Sequence, residues 1–384
     1  MINTIPYVKR LNAMTNRERF INTMEYTSVD KVPNHEVGVW QQTIERWSSE
    51  GVCPYGMHWD WFTGEERFEM DAREFIPVNY DMMPPYERKV LESTERYEIF
   101  QDANGIIRKA LLEGTVRGQR LSMDQYLKFP VETPEDFKEL RKRYEAKLTA
   151  RYPAQWETLY KKHWTERDHI LVLGKNVAAG GFYWRAREWM GTENLSLAWY
   201  DHPDLMHEMM EFYADFTIEV SRPILEQVDV EYFNLSEDLS MKNGPLLSPN
   251  TFRTFIKPHM ERLVSFMKSN GVRYVTLDTD GNPETLIPDF LDIGIDLLWP
   301  LERASGMDPL YLRKKFGKSL RLAGGVDKRV LATNKQSIDE HLELLRPVIE
   351  EGGYIPQVDH LVPPDVSFDN FCYYMDKKRT LLGG

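Results

Sequence analysis

Two aspartates stand two positions apart at the end of an apolar segment, in the stretch "YVTLDTDGNP" at residues 274–283. Tyr, Val, Thr and Leu favour strands, so the segment predicts a strand that ends in Asp278 and Asp280. Residues at i and i+2 of a strand face the same side. The spacing therefore predicts a pair of carboxyl groups held together where a strand ends. Such a pair can share a proton, act as a general acid or hold a divalent metal through oxygen ligands.

Polar residues close most of the other predicted strands in the second half of the chain. In a barrel of parallel strands the carboxyl ends converge on one mouth, where such enzymes keep their active sites. Polar loops and helix caps explain any single one of these residues equally well. Catalytic roles beside the aspartate pair are predicted for Glu237 and His360. Roles in substrate binding are predicted for Asn176, Asp238, Glu302 and Asp327.

Aromatic residues near other strand ends are candidates for an apolar substrate wall. Trp40 follows the predicted strand "VPNHEVGVW", which also carries Glu36, and Tyr183 and Trp184 follow "AAGG". We predict that these four residues contact the substrate. Ordinary core packing explains each aromatic residue, taken alone, at least as well.

The elements that position these residues follow a regular order over residues 165–384. Six apolar segments predict strands, from "HILVLGKN" to "GYIPQVDH", and they alternate with segments that predict helices. Alternation at this spacing is typical of parallel strands joined by crossover helices.

Residues 1–150 form a less regular N-terminal half, with a predicted β-hairpin near 96–113 around an Asn104-Gly105 turn. With "VPNHEVGV" counted, the chain holds at least seven strands, and we expect an eighth in this half. We therefore predict a single domain over 1–384, an α/β fold of the (β/α)8 TIM-barrel type with an N-terminal extension and a β-hairpin insertion. A doubly wound open sheet is the alternative, although no predicted strand is followed by GxGxxG or a P-loop.

Composition excludes several functional classes. The net charge of −12 and the pI near 5.4 make nucleic acid an unsuitable partner. No apolar run approaches the roughly 20 residues that cross a bilayer, and the N-terminus lacks a signal-peptide core, so we expect no membrane contact. The two cysteines, Cys53 and Cys372, form no CxxC motif and suit a reducing cytoplasm. The absence of GxSxG gives no sign of a serine nucleophile.

Several long segments resemble the uroporphyrinogen decarboxylase superfamily. They are "TNRERFINTMEYTSVDKVP", "LSPNTFRTFIKPHMERLVSFMKSNG", "IPDFLDIGIDLLWPLERASGMDP", "FGKSLRLAGGVDKRVL" and "EEGGYIPQVDHLVPPDVSFDNFCYYM". The resemblance covers almost the whole chain and implies a (β/α)8 barrel. It also implies one of two activities: decarboxylation, or methyl transfer to or from a corrinoid.

The resemblance favours the methyltransferase branch. True decarboxylases of the superfamily carry an RQAGR-like stretch after the first strand, which grips substrate carboxylates. The corresponding place here reads "NHEVGVWQQTIERW", with Glu36 and no arginine before Arg46. The corrinoid methyltransferases bind zinc through a His-x-Cys pair and a later Cys. Those positions fall here on Asp278-Thr279-Asp280 and near Val358 or Asp359.

An all-oxygen site suits the departure of an oxygen leaving group better than the activation of a thiol. We therefore predict demethylation of a small donor such as a methoxylated aromatic, with the methyl group passing to a corrinoid (cobalamin). No DxHxxG motif is present, so the corrinoid is expected on a separate protein. If a metal is bound, Asp278, Asp280 and Asp359 are the predicted ligands, followed by His360 or Glu237, and zinc is favoured only by the resemblance.

Two alternatives stay open, and a homodimer is also left open. The first alternative is a decarboxylase acting on a smaller carboxylated ring. The second is a non-catalytic protein that binds a corrinoid or another tetrapyrrole.

Overall fold

The structure is a computed structural model that describes residues 14–52, 59, 61–113, 124–174 and 180–383. Its strands are β1 (Arg73–Phe75), β2 (Lys89–Ser93), β3 (Tyr97–Gln101), β4 (Ile107–Leu111), β5 (Gln125–Lys128), β6 (Ile170–Leu173), β7 (Tyr232–Ser236), β8 (Ser240–Met241), β9 (Gly244–Pro245), β10 (Tyr274–Asp278), β11 (Leu297–Trp299), β12 (Arg321–Val326) and β13 (Tyr354–Val358). The candidate residue Asn176 lies outside the described residues, as does Cys53.

The helices fill the intervals between these strands. They are α1 (Asn16–Met24), α2 (Gln41–Ser49), α3 (Pro134–Leu140), α4 (Trp156–Leu159), α5 (Lys161–Thr165), α6 (Phe182–Met190), α7 (Thr192–Asp201), α8 (Pro203–Leu225), α9 (Pro249–Thr251), α10 (Lys257–Ser269), α11 (Ile287–Ile293), α12 (Pro309–Phe316), α13 (Lys328–Leu331), α14 (Lys335–Glu351) and α15 (Phe368–Leu381). Among the described residues, no helix is long and apolar enough to cross a membrane.

Seven parallel strands form the main sheet, in the order β1-β6-β7-β10-β11-β12-β13. The order follows the chain, and at least one helix lies between successive strands, which is the arrangement of a curled α/β sheet of the TIM-barrel type. The sheet includes all six strands predicted over residues 165–384. Its first strand, β1, is one that the sequence did not place, because it has only three residues and two of them are charged.

An extended segment, residues 32–40, lies between the two ends of this sheet. Val39 forms a parallel bridge with Val362, just beyond β13, and the Trp40 amide donates to the Val362 carbonyl at 3.2 Å. On the other side, the Phe62 amide donates to the Val37 carbonyl at 2.9 Å, shortly before β1. The predicted strand "VPNHEVGVW" is therefore an irregular extended segment that joins the two ends of the sheet.

Helix α1 covers the amino-terminal end of the strands. Its start is fixed by a capping box, in which Thr15 and Glu18 each bind the backbone amide of the other. Its apolar face then places Phe20 and Met24 in a buried cluster with residues from five strands. Those residues are Ile170, Tyr274, Leu297, Ala323 and Ile355. With this end closed by apolar packing, the opposite end of the strands is left for a site.

A second sheet lies outside the main one and is antiparallel, in the order β2-β3-β4-β5. Tyr97 pairs with Leu111 and Gln101 with Ile107 across the turn at Asn104-Gly105. Gly105 has φ of +80°, a backbone conformation that glycine adopts without strain. All residues of β2 and β5 are exposed.

Candidate active site at the carboxyl ends of the strands

Asp278 is the last residue of β10 and faces a cleft at the carboxyl ends of the strands. Ser236, its partner in the sheet register on β7, donates a hydrogen bond from Oγ to Asp278 Oδ2 at 2.9 Å. Burial, the largest effect, and the negative charge of Asp280 raise the pKa of Asp278 to about 8. At neutral pH this carboxyl group therefore holds a proton.

Asp280 and His360 form the second half of the polar cluster. His360 Nε2 lies 3.4 Å from Asp280 Oδ2. Burial acts to lower the pKa of His360, but the hydrogen bond and the charge of Asp280 outweigh it and raise that pKa above its ordinary value. The imidazole also stacks on Trp40, with ring centroids 5.6 Å apart and planes 20° from parallel. The contact with Asp280 thus favours the protonated form of His360, and the negative charge of Asp280 favours the proton on Asp278.

The cleft around these groups has a volume of about 310 Å³. Its walls are largely indole rings and apolar side chains, and its floor carries the acids. The described residues that line it are Val37, Trp40, Trp61, Trp184, Ser236, Asp238, Asp278, Asp280, Trp299, Pro300, His360 and Leu361. A cleft of this size with aromatic walls and a few convergent polar groups suits a small flat ligand. A larger open groove of about 740 Å³ beside α8 is remote from these acids.

Asp238 lies on the rim of the cleft, as predicted from its position, but it already has a partner. Arg187 Nη2 binds Asp238 Oδ2 at 2.6 Å, and the same guanidinium group lies over the Trp184 ring at 4.7 Å. This contact fixes the wall formed by Trp184.

Glu237 is turned away from the cleft and is fully buried. Its carboxylate accepts hydrogen bonds from the amides of Phe182 and Tyr183, both at 2.8 Å, and so caps the N-terminus of α6. Gly181 permits this approach, because a Cβ there would lie 2.1 Å from Glu237 Cδ. Burial raises the pKa of Glu237 to about 7 against the opposing effect of these amides. The structure gives Glu237 a structural position in place of the predicted catalytic one.

Tyr183 is also buried, with 1% of its surface exposed, and does not line the cleft. Of the two aromatic residues after "AAGG", only Trp184 reaches the candidate site. The helical geometry of α6 explains the difference, since successive side chains of a helix point in different directions.

Glu36 belongs to a buried ion pair behind the mouth. Its Oε1 accepts from Lys378 Nζ at 2.5 Å and from the hydroxyl group of Tyr374, while Oε2 accepts from the Val358 amide at 2.9 Å. Both members of the ion pair are essentially unexposed. Glu36 therefore ties the segment 32–40 to β13 and α15, and it does not meet the cleft where substrate contact was predicted.

Both carboxylate oxygens of Asp359 also accept hydrogen bonds from the backbone. Oδ1 accepts from the Lys328 amide and Oδ2 from the Arg303 amide, each at 3.0 Å, and the side chain is fully buried. Burial raises the pKa of Asp359 above its ordinary value, although the charge and amide of Lys328 oppose the shift. These contacts join the loops after β11, β12 and β13.

Glu302 and Asp327 support the mouth from behind. Glu302 accepts from the Gly281 amide and from Lys328 Nζ, both at 3.0 Å, which holds the turn that carries Asp280. Asp327 caps α13 through the Arg329 amide at 2.9 Å and also binds the Arg329 side chain. The predicted role in substrate binding is therefore replaced by positioning contacts for both residues.

Among the polar and aromatic residues that line the cleft, sequence reasoning missed three: Ser236, Trp61 and Trp299. Ser236 ends β7, so the rule of polar residues at strand ends would also have selected it. Trp299 ends β11 and would have been selected by the same position as an aromatic wall residue. Trp61 carries no comparable signal, because it lies in an irregular segment before β1. Its contact with Trp299, at a centroid distance of 5.9 Å, forms one wall of the cleft.

Comparison with known protein families and solved structures identifies the family of this chain. Residues 126–380 match the family described as uroporphyrinogen decarboxylase (URO-D). The chain belongs to the URO-D family. No curated protein matches the chain in a sequence search.

Two solved structures align with most of this URO-D family member. A methyltransferase from Methanosarcina mazei superposes with a TM-score of 0.56 at 16% identity, covering 95% of this chain and 98% of that one. A B12-independent methionine synthase from Shewanella sp. W3-18-1 has a TM-score of 0.38 at 10% identity, covering 89% of this chain and 84% of that one. The first match shows a common fold over nearly the full length of both chains.

The carboxyl groups at the mouth do not assemble the predicted metal site. Both oxygens of Asp359 accept hydrogen bonds from backbone amides, and one oxygen of Asp278 accepts a hydrogen bond from Ser236. Among the described residues, Asp278, Asp280 and Asp359 do not form a group of three converging ligand atoms. The donor set therefore does not fit zinc here, and the chemistry of the cleft is best derived from the protonated acid.

Proposed function

We propose that this URO-D family member demethylates a small methoxylated aromatic compound and passes the methyl group to a corrinoid carried by a separate protein. The observation that carries the proposal is Asp278, an acid whose pKa is raised to about 8 and which faces a cleft with indole walls. The fold shared with the Methanosarcina mazei methyltransferase supports the reaction class. The indole rings of Trp40, Trp61, Trp184 and Trp299 suit a flat aromatic donor.

The difficult step is the release of a phenolic oxygen. When the aryl-oxygen–methyl bond breaks, its electron pair stays on the oxygen, and phenoxide is a mediocre leaving group. Asp278 donates its proton to that oxygen, so the product leaves as a neutral phenol. General acid assistance of this kind contributes about 10²–10⁴-fold to a rate.

Asp280 and His360 form the charged surroundings of Asp278. His360 Nε2 lies 3.4 Å from Asp280 Oδ2, which favours the protonated form of the imidazole. The negative charge of Asp280 in turn favours the proton on Asp278. We assign the acid role to Asp278 and the positioning role to Asp280 with His360.

The corrinoid, when its carrier protein docks, supplies a reduced cobalt nucleophile for the methyl group. The residues present fit this role because the polar cluster is accessible from the mouth: Asp280 is 39% exposed and His360 24%. The indole walls hold the donor with its oxygen toward Asp278. They also limit the water that reaches the acid.

A decarboxylase remains the second candidate within the family, but the described part of the cleft disfavours it. The lining residues include three aspartates and, among those the structure describes, no lysine or arginine. A carboxylated ring would bring further negative charge beside these groups without a lysine or arginine to pair with it. A non-catalytic corrinoid or tetrapyrrole carrier has no need of a protonated acid.

Mixing the purified chain with a reduced corrinoid protein and a panel of methyl donors tests the proposal. We expect the absorbance of methylated corrinoid with methoxylated phenols and not with methanol or methylamines. Release of CO₂ from a carboxylated ring would select the decarboxylase. Binding of corrinoid without turnover of any donor would select the carrier.

A further inference from the structure

A second cluster of ligand-forming side chains lies outside the cleft, where β1 and β6 begin their pairing. It consists of Glu74, His163 and His169, whose ligand atoms all lie within 4.8 Å of one another. His163 Nε2 and His169 Nε2 each lie 2.9 Å from Glu74 Oε2. Two imidazole nitrogens thus meet at one carboxylate oxygen.

The main elements of the fold hold these groups in place. Arg73 and Phe75 line the barrel interior, so Glu74 between them on β1 points outward. His169 immediately precedes β6, whose Ile170 pairs with Arg73. His163 lies on α5, which is anchored by the fully buried Trp164. The cluster therefore joins two adjacent strands to a helix on the outer surface.

The carboxylate of Glu74 is oriented by a residue that is not itself a ligand. Trp164 Nε1 donates to Oε1 at 2.7 Å, which leaves Oε2 directed at the two histidines.

The outer nitrogen of one imidazole also faces an acid. His169 Nδ1 lies 3.7 Å from Asp168 Oδ1. A carboxylate behind a histidine favours the tautomer that carries its proton on Nδ1, and this frees Nε2 to bind a metal. His163 is 57% exposed, so its ring can rotate and solvent can reach the cluster.

We propose that Glu74, His163 and His169 bind a divalent transition-metal ion, with Zn²⁺ as the best match. Two imidazoles and one carboxylate form a donor set typical of Zn²⁺, and a water molecule completes four-coordination at the exposed side. Binding replaces the two N–H···O contacts to Glu74 with nitrogen–metal bonds, and each neutral ring carries its proton on Nδ1. Bonds of about 2.0–2.2 Å place tetrahedral ligand atoms roughly 3.5 Å apart. The two N···O distances of 2.9 Å must therefore lengthen slightly to admit the ion, which the exposed side chain of His163 permits.

The metal ties α5 to the edge of the main sheet near its amino-terminal end. The site is separate from the cleft, since none of its three ligands lines that cavity. Its function is structural, and it is independent of the proposed methyl transfer. A ligand that binds only the folded state raises apparent stability by mass action.

Zinc titration of chelator-stripped protein at pH 7.5, against a chromophoric competitor, tests this site. We expect one high-affinity Zn²⁺ per chain in the wild type and in Asp280→Asn, which alters the cleft. His163→Ala and Glu74→Gln should weaken binding more than about 100-fold, because altering even an outer partner of a ligand weakens affinity about 10–100-fold. His202→Ala, a change at another exposed histidine, is the matched control and should bind as the wild type.

Thermal unfolding provides a second measurement on the same proteins. Added Zn²⁺ should raise the Tm of the wild type and of His202→Ala, and it should leave that of His163→Ala unchanged. Because His163 is mostly exposed, its alanine variant should fold. Equal zinc affinity in wild type and His163→Ala, loss of binding in Asp280→Asn, or no high-affinity binding in the wild type would each overturn the assignment.

Discussion

Asp278 and Asp359 follow the same pattern in the sequence and have opposite surroundings in the structure. Both lie at the carboxyl end of a strand in the main sheet. Asp359 has both oxygens bound by backbone amides, whereas Asp278 accepts one side-chain hydrogen bond and faces the cleft. Burial raises the pKa of both groups, but only Asp278 is placed to give its proton to a ligand.

Some acids at the mouth stabilise its structure, and others are placed to act on a ligand. Glu36, Glu237 and Asp359 join segments of backbone, and removing their charge should act on stability. Asp278 and Asp280 have few protein partners, and replacing either carboxyl group should act on turnover.

The largest expected effect is on turnover in Asp278→Asn. The amide is isosteric but cannot act as an acid, so the rate of methyl transfer should fall about 10²–10⁴-fold. Single-turnover formation of methylated corrinoid measures this rate. Glu261→Gln, which removes an exposed carboxylate on α10, is the control and should keep the wild-type rate. Full activity in Asp278→Asn would remove the acid role.

Asp359→Asn should lower stability, whereas Asp278→Asn should lower turnover. One of its two oxygens becomes an NH₂ group that confronts a backbone N–H, so a buried donor loses its acceptor. The free energy of unfolding should fall by about 1–3 kcal/mol. Denaturant titration measures it, with Asp278→Asn as the contrasting variant that should not lose stability. Equal losses of unfolding free energy in the two variants would contradict the distinction between acids that stabilise the mouth and acids that act in it.

Trp40→Ala tests the wall of the cleft and should have a smaller effect. Trp40 lines the cleft, and loss of an aromatic contact with the donor ring costs about 0.5–1.5 kcal/mol. We expect KM for a methoxylated phenol to rise about 2–10-fold. Tyr200→Ala, which removes an aromatic side chain that is 73% exposed, should leave KM unchanged. An unaltered KM in Trp40→Ala would exclude the residue from donor binding.

A fourth prediction concerns the pH dependence of stability. The pKa of Asp278 is raised from its ordinary value of 3.8 to about 8, so the folded state binds this proton more tightly than the unfolded state. Its contribution to stability is complete below pH 3.8 and is lost as the pH rises toward 8. As the pH rises from 3.8 to about 8, the wild type should therefore lose unfolding free energy relative to Asp278→Asn. A difference that is constant from pH 4 to 8 would mean that Asp278 titrates normally.

The sequence predicted the fold more accurately than it predicted which way the side chains near the strand ends point. Strand periodicity located β7 and β10 to β13, and polar residues at their ends marked the mouth correctly. The orientation of Glu36 and Glu237 depends on amides from distant segments, at Val358 and Phe182, which no local pattern encodes. Strand β1 escaped prediction for a similar reason: its pairing with β6 makes it a strand, and its three residues do not.

The pH dependence of single-turnover methyl transfer tests the central claim most directly. Because Asp278 acts in its protonated form, the wild-type rate should be level below pH 7 and fall as the pH rises through about 8. The residual rate of Asp278→Asn should be low and independent of pH over the same range. A wild-type rate that increases through pH 8, or the same decline in Asp278→Asn, would contradict the assignment of Asp278 as the acid.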